Sequence, residues 1–263
     1  MMSPLEVIGQ WLARFLSRPR ESGDHIATSK PELLAATLMK GDVLLVEGTS
    51  RISAAIKYLT QSTWSHAALF IGDALGLPQD GDEAPVLLEA DVREGVRTVP
   101  LSLYSRRHTR ICRAMGLSQK ETDAVVAYAV SRIGHHYDLK NIFDLARYAI
   151  QSPPVPRRWR RRLLALGSGD PTRAICSSLI AQAFQSIRYP ILPEVELEQS
   201  KDPACVECYE EILHIRHHSL FTPRDFDVSP YFRIVKPRIE QGFDRLGLTW
   251  GDMDGRESET ENK

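Results

Sequence analysis

Of the four cysteines in the chain, Cys176 stands where a helix begins, in "RAICSSLI" (173–180). A cysteine at a helix start has three readings: a small core residue, a metal ligand or a nucleophile. Free cysteine is most often buried packing. A cysteine hydrolase needs a thiolate, an imidazole within hydrogen-bond reach and a polar group that orients the imidazole. The helix dipole and a neighbouring imidazolium both lower a thiol pKa, and the first-turn amide of Cys176 points where an oxyanion would form. Among the eight histidines, His66 in "TWSHAALFIG" is the one best placed to serve. It sits at the mouth of an apolar strand, which would hold its ring rigidly. Glu89 closes the apolar "VLLE" one strand further on, where a carboxylate is costly without a partner such as a His ring nitrogen. Asp91 competes for that third role, because strand alternation places it on the same face as Glu89.

The elements that would carry these residues are legible from periodicity. Strands are expected at 42–48, 66–72, 86–90, 95–101, 110–114 and 231–235, and a helix near 52–61. Ser118 with Glu121 forms a capping box, starting a helix that stops at Gly134. A second helix is expected at 139–150, and the helix of Cys176 follows with Leu179, Ile180, Ala183 and Ile187 as its apolar stripe. At the N-terminus Leu5, Ile8, Trp11, Leu12, Phe15 and Leu16 recur at helical spacing, and the polar stretch after Pro19 reads as a linker.

The bulk numbers exclude several classes. With 43% hydrophobic and 25% charged residues over 263 positions, the chain can bury a substantial core. A formal net charge of −1 and a pI near 6.7 argue against a dedicated nucleic-acid binder. Four cysteines at this length do not make a disulfide scaffold, and reduced thiols in the cytoplasm fit them best. No apolar run approaches the ~18 residues of a spanning helix, and Arg14 and Arg18 interrupt the only stretch resembling a signal peptide.

The stretch "KGDVLLVEGTSRISAAIKYLTQSTWSHAALFIGD" resembles the opening of the YiiX/YebB-like permuted papain-like hydrolases, relatives of the NlpC-type peptidases and of the lecithin retinol acyltransferase family. In that group the histidine strand precedes the cysteine helix, and "GDVLL", "WSHAALFIG", "LLEA", "GHHYD" and "CSSLIAQAF" follow that order here. The resemblance implies an α+β, circularly permuted papain-like (NlpC-type) fold, with an antiparallel sheet packed against the nucleophile helix. It implies Cys176 as nucleophile, His66 as base and Glu89 as third member. Tyr137 and Asp138 would line the pocket, with Trp64 and Ser65 beside the histidine as further substrate contacts. The expected organisation is an N-terminal helix and linker (1–39), a catalytic domain (40–190) with an Arg/Pro-rich insertion (151–172), an extension (191–249) and an acidic tail (250–263). The insertion and the extension lie outside the matched part.

The expected function is thiol-dependent hydrolysis of an amide or ester through a thioester. The substrate is a peptide or amino-acid conjugate or an acyl lipid, and acyl transfer uses the same intermediate. This chemistry needs no cofactor or metal. The alternative is a catalytically silent member that binds a partner or a membrane surface. "RRWRRR" (157–162) and the N-terminal helix keep peripheral membrane contact open beside a cytoplasmic location. A weaker pattern pairs Cys205 and Cys208 with His214, His217 and His218, a donor set zinc accepts. The spacer of five residues between Cys208 and His214 is shorter than in zinc fingers, so a short helical segment with exposed thiols is expected instead.

Overall fold

The computed structural model describes residues 27, 29–76, 83–84, 86–91, 94–135, 175–199 and 209–249. The N-terminal helix, the expected helix 139–150, Tyr137, Asp138, the insertion, Cys205, Cys208 and the tail lie outside the described residues.

In chain order the elements are α1 (Pro31–Thr37), β1 (Val43–Val46), α2 (Arg51–Thr60), β2 (His66–Phe70), β3 (Leu87–Asp91) and β4 (Gly95–Val99). A 3₁₀ turn (Leu101–Tyr104) leads to β5 (Thr109–Ala114) and α3 (Gln119–Val130), and a second (His218–Leu220) lies further along the chain. After α4 (Ile175–Gln185) come β6 (Glu194–Gln199), β7 (Tyr209–His214), α5 (Pro223–Asp227), β8 (Phe232–Val235) and α6 (Pro237–Glu240). Six strands form one antiparallel sheet in the order β4-β3-β2-β1-β5-β8, so the fold is α+β as expected.

Antiparallel strands normally alternate, yet β1 and most of β2 are apolar at successive positions. The reason is that both faces of the sheet are covered. One face packs Val43, Leu45, Ala67 and Leu69 against α3 and α4. The other packs Leu44, Val46 and Ala68 against Leu34 of α1 and Leu101 of the 3₁₀ turn. Helix α1 falls in the segment read as linker. Pro31 at the first helical position and Glu32 in the first turn start it, and Leu34 buries it.

The Gly-Asp pair before β1 is structural. Gly41 has φ of 90°, and a Cβ there would meet Thr122 Cγ2 at 2.9 Å, so glycine is required on both counts. Asp42, 1% exposed, receives both Nε and Nη2 of Arg113 at 2.8 and 2.7 Å, pinning β1 to β5. The capping box of α3 is present as expected, with the Ser118 amide donating to Glu121 Oε2 at 2.8 Å.

The C-terminal third contributes more than one strand. β8 pairs with β5 at the sheet edge, and β6 and β7 form a separate hairpin. The hairpin contradicts the helical reading of "YEEILH". "EVELEQ" alternates strictly, and Val195 and Leu197 on one face of it remain exposed.

Candidate active site

Cys176 is the second residue of α4 as described, Ile175–Gln185. His66 opens β2, and Glu89 stands in the middle of β3. The sheet brings these together by parting. β2 is paired with β1 along His66 to Leu69, but its ladder with β3 is two pairs long, Leu69–Leu88 and Phe70–Leu87. Beyond those pairs the strands separate, and the Ala67 amide donates to the Cys176 sulfur.

The side chains form a continuous relay. His66 Nε2 lies 2.7 Å from Glu89 Oε2, which leaves Nδ1 for the hydrogen bond with the Cys176 thiol. Glu89 is 2% exposed and fully engaged. Arg97 places Nε and Nη2 on Oε1 at 2.9 and 2.8 Å, and the Tyr104 hydroxyl donates to Oε2. Arg97 and Tyr104 were absent from the sequence reading. Arg97 stands directly opposite Glu89 across the β3–β4 hairpin, so a register count from the turn would have found it. Tyr104 arrives through the 3₁₀ turn, for which no periodicity exists.

Burial alone would depress the His66 pKa, but the sulfur of Cys176 and the Glu89 carboxylate outweigh it and hold the imidazole well above its ordinary value. Burial alone would raise the Cys176 thiol; His66, the Ala67 amide and the Ser177 hydroxyl reverse this and lower it. Both shifts run in the direction of thiolate and imidazolium. Cys112, the other cysteine among the described residues, is the contrast: burial pushes its thiol up. Cys112 is core packing on β5.

Burial opposes ionisation of Glu89 as well, yet His66, Tyr104 and Arg97 hold its pKa at about 2, down from 4.5. A lowered carboxyl pKa contributes stability above about pH 4.5 that is lost as pH falls towards about 2. The urea midpoint is therefore expected to fall between pH 5 and pH 3, and to fall less in Glu89→Gln. Equal falls in the two proteins would remove Glu89 from the acid transition.

The other expected residues are placed differently. Asp91, at the end of β3, accepts the Glu94 amide at 3.0 Å across the β3–β4 turn, and it is Glu89 that reaches His66. Trp64 is 2% exposed, with its indole Nε1 donating to Asp227 Oδ2 at 2.9 Å and the Arg110 guanidinium over its ring. Ser65 is 3% exposed, and its hydroxyl accepts the Gly48 amide at 2.9 Å. Both side chains, expected as substrate contacts, are enclosed at the start of β2. Tyr137 and Asp138 lie outside the described residues. Of the zinc pattern, His214 Nε2 lies 3.0 Å from Glu196 Oε2, and Cys205 and Cys208 are outside the described residues. Among the described residues, no group of three or more His, Cys, Asp or Glu could hold a metal ion, and no helix is long and apolar enough to cross a membrane.

Comparison with known proteins agrees with the resemblance read from the sequence. Residues 37–148 match the family model of the permuted papain-like amidase enzymes, YaeF/YiiX, C92 family. The matched span contains His66, Glu89, Arg97 and Tyr104 and ends before Cys176. Among solved structures, the chain is similar to metalloprotein YiiX from Escherichia coli O157:H7, at 14% identity and a TM-score of 0.39. That alignment covers 75% of this chain and 96% of that one. No curated protein matches the sequence.

Proposed function

We propose that this chain is a thiol-dependent amidase in which Cys176 is the nucleophile, His66 the acid–base group and Glu89 the residue that orients the ring. The observation that carries the reading is the relay from a first-turn cysteine through His66 to the buried, ionised Glu89. The match to an amidase family supports thiol hydrolysis in general terms.

The chemistry then runs as acyl transfer. The Cys176 thiolate attacks the carbonyl carbon, and the carbonyl π electrons move to oxygen, facing the Cys176 amide. As the tetrahedral adduct collapses, the C–N bond breaks and His66 gives its proton to the departing amine. The acyl group is left as a thioester on Cys176. His66, now neutral, takes a proton from water, hydroxide adds to the thioester, and collapse expels the thiolate and frees the carboxylic acid. An ester follows the same course with an alcohol leaving. The substrate is a peptide or amino-acid conjugate, or an acyl lipid carrying the same carbonyl.

A panel of short peptides, aminoacyl amides and acyl esters would test this between pH 6 and 8. At least one member is expected to be hydrolysed, with an acyl adduct on the Cys176 peptide in rapidly quenched samples. An inert response to the whole panel, in protein whose Cys176 alkylates readily, would remove the hydrolase reading.

A further inference from the structure

We propose that Arg97 is a positioning residue for the thiol–imidazole pair, acting through Glu89; this rests on the reading of Cys176 and His66 as a coupled pair. The two oxygens of Glu89 have separate duties. Oε2 takes His66 Nε2 at 2.7 Å together with the Tyr104 hydroxyl. Oε1 is held by Arg97, whose Nε and Nη2 both reach it, at 2.9 and 2.8 Å. Arg97 also bonds Glu94 through Nη1, so the guanidinium is itself braced from the β3–β4 turn.

This arrangement fixes more than charge. With Arg97 in place the carboxylate is 2% exposed, so Oε1 is satisfied by the Arg97 fork rather than by bulk water. Without the fork, a buried anionic oxygen would lack a donor, which is costly enough to favour protonation or rotation of the carboxyl. Either change removes the acceptor that Nε2 needs. The ring would then turn, and Nδ1 would no longer face the Cys176 sulfur. Tyr104 cannot compensate, because its hydroxyl serves the other oxygen and carries no charge. Arg97 thus sets which way His66 faces, although it touches neither His66 nor Cys176 in the relay.

The test is the pH midpoint of Cys176 alkylation by iodoacetamide, read peptide by peptide by mass spectrometry on the full chain. It needs no substrate. Arg97→Met is expected to move the midpoint up by one pH unit or more, about a tenfold loss of rate at pH 6. Arg97→Lys keeps a charge without the fork and is expected to give an intermediate shift. In a Glu89→Gln background, Arg97→Met is expected to add nothing, since the partner through which it acts is gone. Near-ultraviolet circular dichroism confirms folding of each variant, and Arg97→Lys carries the test where Arg97→Met does not fold.

An unchanged midpoint in a folded Arg97 variant overturns the proposal. A full additional shift in the Glu89→Gln background also overturns it, because Arg97 would then act directly on the thiolate. An ordinary midpoint in the wild type instead removes the coupled pair itself, a failure of the parent reading.

Discussion

Cys176→Ala is expected to abolish turnover of any substrate found, by about ten-thousand-fold or more, while leaving the protein folded. The loss is large because the thioester of the proposed cycle is both formed and broken at this sulfur. The change in stability runs the other way. The proposed thiolate–imidazolium pair lies at a site where Cys176 is 5% exposed, and desolvating two charges opposes folding. Alanine leaves a neutral group there and a cavity no larger than one sulfur atom. The melting temperature is therefore expected to be unchanged or raised. Steady-state assays beside thermal unfolding of the same samples decide the matter. Residual turnover within tenfold of wild type would transfer the chemistry to another residue; a collapse of stability would make Cys176 a packing residue.

The second large effect is selectivity between two buried cysteines. At pH 6 an ordinary thiol of pKa ~8.5 is roughly 0.3% thiolate, so a thiol whose pKa is lowered reacts faster there, by up to on the order of a hundredfold when it is mostly ionised. Iodoacetamide at pH 6 is expected to modify Cys176 at that advantage and to leave Cys112, whose thiol is pushed up, untouched. His66→Ala is expected to erase the advantage, because the imidazolium is the main group opposing the burial of Cys176. The sign is fixed by the shifts. Cys176 is lowered and His66 raised, both in favour of the reactive ion pair, which is lost on the acid side when the thiolate protonates. Equal and slow modification of both cysteines, unchanged by His66→Ala, would show that the two side chains are not coupled.

Much of this arrangement was legible in the order of residues. Cys176 announces itself by standing at a helix start, and His66 by opening an apolar strand, both properties of local sequence. Glu89 and Asp91 were not separable, because period-two alternation puts both on one face. The hairpin gives them different partners. Asp91 faces Gly95 and binds the turn, whereas Glu89 faces Arg97. The burial of Trp64 and Ser65 was not legible for a related reason. Adjacency to a histidine in sequence says nothing about depth, and Trp64 turns inward to meet Asp227 from a distant part of the chain.

The acidic "EVELEQ" strand and the "PELLAAT" helix show the other kind of miss. Their signals were present, as strict alternation in one and Pro31 at a helix start in the other. The first was passed over, and the second fell in a segment expected to be a linker. Sequence by itself determined the class of the fold, the apolar strands and the order of histidine before cysteine, because these follow from periodicity and from residue types near one another. Tertiary structure alone decided that β2 and β3 part after two pairs, that the Ala67 amide is thereby freed for the Cys176 sulfur, and that Arg97 and Tyr104 hold Glu89 ionised. Those features depend on register and on contacts between distant segments, where the strength of a hydrogen bond is set by burial that no single stretch of chain encodes.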